Sequence, residues 1–181
     1  MVTGGAAQAH TGLGTVDGFA SGAVHPFLGL DHILAMVGVG LWAAMLGGRN
    51  TICVPLAFVA AMIIGGAVGI AGIEFPLVEL GIVSSLIVIG GLISLRTILP
   101  LPVAMSIVSL FALFHGHAHG AEMPASASGL LYGLGFVVAT VTLHATGIGL
   151  GRLLRTTAAT RYARLTGLGI AGSGLALLVI G

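Results

Sequence analysis

The chain has 181 residues, of which 57% are hydrophobic and only 6% charged, with 31 glycines besides. Soluble domains carry about 25% charged residues, so this chain cannot cover a water-facing surface; a soluble enzyme, a nucleic-acid binder and a disordered tail are excluded. Its six cations are all Arg, which removes any Walker A lysine and with it ATP hydrolysis, and its single Cys removes an internal disulfide or a chain-built thiolate cluster. What remains is an all-α, polytopic integral membrane protein whose first partner is the lipid bilayer.

Residues 1–18 read as an N-terminal segment. Ala7-Gln8-Ala9 has the small-residue pattern of a signal-peptide cleavage site, which would make His10 the mature terminus, although the basic and apolar regions of a signal are missing. Residues 19–181 read as one six-helix domain. Crossing roughly 30 Å of hydrocarbon takes about 20 apolar residues, and six stretches qualify: 27–46, 51–72, 77–95, 98–114, 128–150 and 163–180. Pro26 opens the first, and Pro100 and Pro102 the fourth, at positions where a missing N–H costs nothing. The apolar runs are continuous and do not alternate, so strands are not expected.

Every Arg falls between spans or at a span's edge: Arg49 after the first, Arg96 after the third, and Arg152, Arg155, Arg161 and Arg164 between the fifth and the opening of the sixth. The positive-inside rule makes these loops cytoplasmic, and the expected topology is N-out, C-out in a bacterial cytoplasmic (inner) membrane. The 73–76 turn and the 116–127 loop then face outward. Trp42, near the inner end of the first span, reads as an interfacial anchor. Glycines spaced by four, such as Gly65 and Gly69 or Gly129 and Gly133, suit close helix packing in lipid. Gly167-Leu-Gly-Ile-Ala-Gly172 formally matches a nucleotide-binding pattern, but it follows no strand and reads as packing. Ser173 likewise reads as an ordinary helical serine, and Cys53 as inert.

The chemistry lies in the histidines. Five of the seven fall in two segments, His25-Pro-Phe-Leu-Gly-Leu-Asp31-His32 and Phe114-His115-Gly-His117-Ala-His119-Gly-Ala-Glu122. Ionisable groups inside a membrane are costly, so such clusters are functional-site candidates. On one straight helix His25 and His32 would share a face about 10 Å apart along the axis, too far for one ion unless the chain bends at Pro26. Of adjacent Asp31 and His32, one can ligate while the other orients or neutralises. His115 and His119 share a face if the helix continues, whereas an extended chain would align His115, His117 and His119; the intervening glycines leave both open. The topology puts both segments at the outer leaflet, with Glu79 beside them and Glu74 just outside. Neutral imidazoles with carboxylates favour Ni²⁺, Co²⁺, Zn²⁺ or Cu²⁺ over Ca²⁺ or Mg²⁺. Met36, Met62 and Met105 read as packing, and His10 as an interfacial polar residue. His144 reads either as a core histidine hydrogen-bonded to Thr140 or a carbonyl, or as a later stop on an inward path.

The two segments together resemble the HupE/UreJ family of membrane nickel permeases. HPxxGxDH is met at His25, Pro26, Gly29, Asp31 and His32, and FHGxAHGxE at Phe114, His115, Gly116, Ala118, His119, Gly120 and Glu122. The stretch from Leu30 to Ala44 is similar to the same family, and the likeness covers essentially the whole chain. The larger nickel/cobalt transporter family has a related histidine–aspartate–histidine motif with four intervening residues, where Pro26 through Leu30 make five. The resemblance implies uptake of Ni²⁺, or in some members Co²⁺ or another transition ion, often to supply hydrogenase or urease. It implies site roles for His25, Asp31, His32, His115, His119 and Glu122; His117 stands at the variable position and rests on its own chemistry.

The expected function is therefore a permease, not an enzyme, that exchanges part of an ion's hydration shell for imidazole and carboxylate at the outer face. The transported metal is its ligand, with no permanently bound cofactor, no ATP and no nucleic acid; a homo-oligomer stays open. Protons compete for the same imidazoles, so uptake should fall as external pH drops through about 6.5. A membrane-embedded His-ligated metalloenzyme would instead keep its metal against chelators. In a structural subunit of a membrane complex, substitution of His32 or His119 would leave metal uptake unchanged.

Overall fold

The computed structural model describes residues 13–124, 127–154 and 160–180. Seven α-helices follow in order, with no strand among the described residues: α1 (Leu13–Val24), α2 (Leu30–Leu46), α3 (Asn50–Ile70), α4 (Val78–Ser94), α5 (Leu101–Ala121), α6 (Gly129–Leu153) and α7 (Thr160–Ile180). A short 3₁₀ turn, His25–Phe27, joins α1 to α2. The signal-like residues to Ala9, His10 and Arg155 lie outside the described residues.

Sequence signals place most boundaries. Pro100 stands just before α5 and Pro102 in its first turn. Gly47, at φ 72, ends α2 in the left-handed region that glycine enters without a Cβ penalty. Gly29 takes an extended conformation before α2, and together with the Pro26 turn it breaks the path, so Gly18–Phe27 and Leu30–Leu46 meet at 81°. The expected first span from 27 is corrected here: its opening residues belong to an elbow. The helix before the elbow crosses the expected segment boundary at 18 and packs on α6, with Gly22 against the Tyr132 backbone.

Asn50–Ile70, Leu101–Ala121, Gly129–Leu153 and Arg161–Ile180 are each long and apolar enough to cross a bilayer; the bent pair is a fifth candidate, and Val78–Ser94, at 17 residues, is shorter. The fourth expected span ends far too early at 114. The helix runs on to Ala121, so half of the expected 116–127 loop is helical and carries the second histidine segment.

The helices pack chiefly in pairs, α3 with α5, α2 with α6 and α4 with α7. Glycines set these crossings: a Cβ at Gly116 would run into the Met62 backbone, at Gly120 into Gly66, at Gly40 into His144, and at Gly167 into Gly90 and Ser94. Without a hydrophobic drive between helices in lipid, such close backbone approach is what yields contact area. Of the Gly167–Gly172 run only Gly167 packs on a neighbouring backbone, while Gly169 and Gly172 face open space, and Ser173 donates to the Gly169 carbonyl within its own helix. The core between the pairs holds Met36, Leu41, Trp42, Phe58 and Met62. Trp42 is not the expected interfacial anchor: it is fully buried, and its Nε1–H donates to the Thr97 carbonyl at 3.1 Å, because the indole donor finds a partner in the α4–α5 connection instead of headgroup water.

Candidate metal site

Helical periodicity sorts the second histidine segment into three faces. Gly116 and Gly120 lie against α3. His115 and His119, one turn apart, share the face turned to α2, where both rings contact His32. His117, two residues from each, points elsewhere: its Nε2–H donates to the Ile73 carbonyl at 2.8 Å and its ring packs by Phe75. Among the sequence candidates it is the one the fold sets apart, and the reason is that the segment is helical, where an extended chain would have aligned all three.

The elbow supplies the other wall. It swings His25 back so that its ring lies 4.8 Å from His119, centroid to centroid, while His32 lies 4.1 Å from His119 and 4.9 Å from His115. His25 and His32, too distant on a straight helix, thus meet the same imidazole. His25, Asp31, His32, His119 and Glu122 line one cavity of about 280 Å³, together with Glu79 from the first turn of α4. Exposure grades inward along it: the side chain of Glu122 is 60% exposed, His25 24%, His32 12%, and His115 is fully buried.

Hydrogen bonds fix which nitrogens are free. The Asp31 carboxylate accepts from His32 Nδ1 at 2.9 Å and from the His32 backbone N–H at 2.9 Å. A carboxylate only accepts, so the ring proton sits on Nδ1 and the buried, unpartnered Nε2 presents its lone pair. Ser85 donates its hydroxyl to the Ile82 carbonyl at 2.6 Å and lies 3.0 Å from His115 Nε2. With that single hydroxyl proton committed, His115 Nε2–H donates to Ser85 Oγ, and the unpartnered Nδ1 carries the lone pair. Neither nitrogen of His119 has a partner. At the mouth His25 Nε2 lies 3.0 Å from Glu122 Oε2, and ligand atoms of His25, His119 and Glu122 fall within 4.8 Å of one another.

His119 therefore belongs to one donor set, at the mouth with His25 and Glu122, and deeper in its ring touches His32, which in turn touches His115. Imidazoles whose second N–H is held by a carboxylate or hydroxyl are oriented as metal ligands commonly are, and the donor types suit borderline divalent transition ions. Ser85 has no signal in the sequence: the Ser84–Ser85 pair in an apolar span does not say what either side chain faces. Asp31 and His119, on helices far apart in sequence, line the same cavity.

The family described as HupE / UreJ protein matches residues 1–177 of this chain. The chain is 48% identical over 173 residues to "Protein HupE" of Rhizobium leguminosarum bv. viciae, covering 96% of this chain and 90% of that protein. No solved structure matches it.

Proposed function

The chain belongs to the HupE/UreJ family, and from that premise we propose that it is a permease admitting Ni²⁺, or alternatively Co²⁺, across the bacterial cytoplasmic membrane. The family is one of transporter-type accessory proteins associated with nickel and cobalt uptake for hydrogenase and urease, and the apolar helices make the chain an integral membrane protein. In this reading α2 to α7 are six crossings. The connections bearing Arg49 and Arg96 and the helix ends bearing Arg152 and Arg161 lie by alternation at one end, which this reading makes cytoplasmic, and the histidine cavity opens outward.

One observation carries the reading. His32, oriented by Asp31 and with Nε2 unpartnered, faces an unpartnered His119 in a cavity whose lining includes Glu79 and Glu122. Carboxylates at the mouth attract a hydrated dication, and His25, Glu122 and His119 replace part of its water. His119 then passes the ion to His32 and His115. A membrane potential of 100 mV contributes roughly 4.6 kcal/mol for a dication, enough for a gradient of about two-thousand-fold, so uptake needs no ATP.

Uptake of Ni²⁺, Co²⁺, Zn²⁺ and Cu²⁺ into proteoliposomes tests this. The native chain should carry Ni²⁺ or Co²⁺ in preference, and His32→Ala and Asp31→Ala should lose that flux. Equal fluxes in native and variant proteins would sink the proposal.

A further inference from the structure

Beyond the cavity lies a histidine that the outer site does not use. His144 on α6 is 2% exposed, and neither ring nitrogen has a hydrogen-bond partner. Thr140, one turn away, is the partner expected from sequence, but its hydroxyl donates to Met62 Sδ at 3.5 Å. Buried polar atoms are nearly always paired, so two orphaned nitrogens on one ring call for a ligand.

The surroundings say which. Thr140 and His144 share one face of α6, and the Thr140 contact draws Met62 to that face. An imidazole, a thioether and a hydroxyl thus gather in one region of the core, a soft-to-borderline donor set. Phe58, one turn from Met62 on α3 and 1% exposed, links this region to the outer site: its ring centroid lies 5.1 Å from His144 and 5.9 Å from His115. On another side His144 borders an apolar groove of about 190 Å³ on the outer face of the bundle, walled by exposed Ile52, Leu56 and Val141 and reaching Thr51 in the first turn of α3.

We propose that His144, with Met62 and Thr140, forms a second, inner station for the transition-metal cation, reached from His115 when the Phe58 ring turns aside. The inference rests on the permease reading and extends it past the outer cavity. No carboxylate is among these side chains, so the station holds a dication weakly, as a transit point must if the ion is to leave.

The test compares Ni²⁺ and Cd²⁺ uptake into proteoliposomes with Ni²⁺ affinity measured by calorimetry on the full chain. His144→Ala should lower Ni²⁺ uptake about tenfold or more while outer-site affinity stays native. His144→Phe, which fills the space without a ligand, should be no better. His144→Met, which restores a softer donor, should recover flux and raise the Cd²⁺-to-Ni²⁺ ratio. Native flux in His144→Phe, or an unchanged metal ratio in His144→Met, overturns the inner station while leaving the permease reading intact. No Ni²⁺ uptake by the native chain overturns both.

Discussion

The α3–α5 and α4–α7 pairs are joined through the same device, glycines set against a neighbouring backbone: Gly116 and Gly120 in one, Gly90 and Gly167 in the other. Beside the glycines of α5 stand His115 and His119, buried and facing α2; beside those of α4 and α7 stand Ile89, in the core, and Leu168, exposed on the outside of the bundle. The glycine fixes how near two helices come, and the residue one position along decides what that nearness is used for. The first pair uses it to hold imidazoles in register with α2; the second uses it for cohesion, while elsewhere along α4 Ser85 and Glu79 reach the site.

The sharpest way to break that contrast is to separate the two crossings. Gly120→Val puts a side chain into the Gly66 backbone; Ni²⁺ binding and uptake should vanish along with much of the thermal stability. Gly167→Val should lower the melting temperature comparably yet leave the folded fraction binding Ni²⁺ with native affinity, measured by calorimetry in detergent. If the second variant also loses binding, the division of labour is wrong. Next in size, His119→Ala should cut uptake about a hundredfold or more, since it removes the imidazole that joins the mouth set to His32, with the melting temperature unchanged or higher because two unpaired buried nitrogens disappear. Asp31→Asn keeps the shape but weakens the hold on His32 Nδ1; metal affinity should drop about 10–100-fold, the usual range for a partner behind a ligand. Smallest of all, His117→Ala loses the bond to the Ile73 carbonyl and the packing against Phe75. Denaturation should show about 0.5–1.5 kcal/mol less stability, and uptake should remain native; a large uptake defect there would mean that the α3–α4 connection feeds the cavity.

Much of this was legible in the residues. Continuous apolar runs bounded by Arg, Gly and Pro gave the helical class and most helix positions, and the costliness of ionisable groups in lipid singled out the two histidine segments. What stayed hidden depends on neighbours. Hydropathy treats lipid and protein core alike, so Trp42 looked like a headgroup anchor although it closes the core. The glycines between His115 and His119 fit a helix and an extended chain equally well, and only the α3 backbone lying against Gly116 and Gly120 resolves them. The elbow at Pro26 was named as a condition for His25 and His32 to meet, but its 81° angle comes from α1 docking on α6, through a helix whose polar residues and short length gave little warning.

That elbow means the two ends of the cavity cannot adapt alike. His25 sits on the 3₁₀ turn between α1 and α2, outside both helices, on an arm whose far side is anchored on α6. His32, His115 and His119 sit on two helices clamped into the bundle, where backbone adjustment would disturb every crossing. In the proposed permease reading, discrimination between ions of equal charge falls to the inner layer, so variants that change cargo preference are to be sought there.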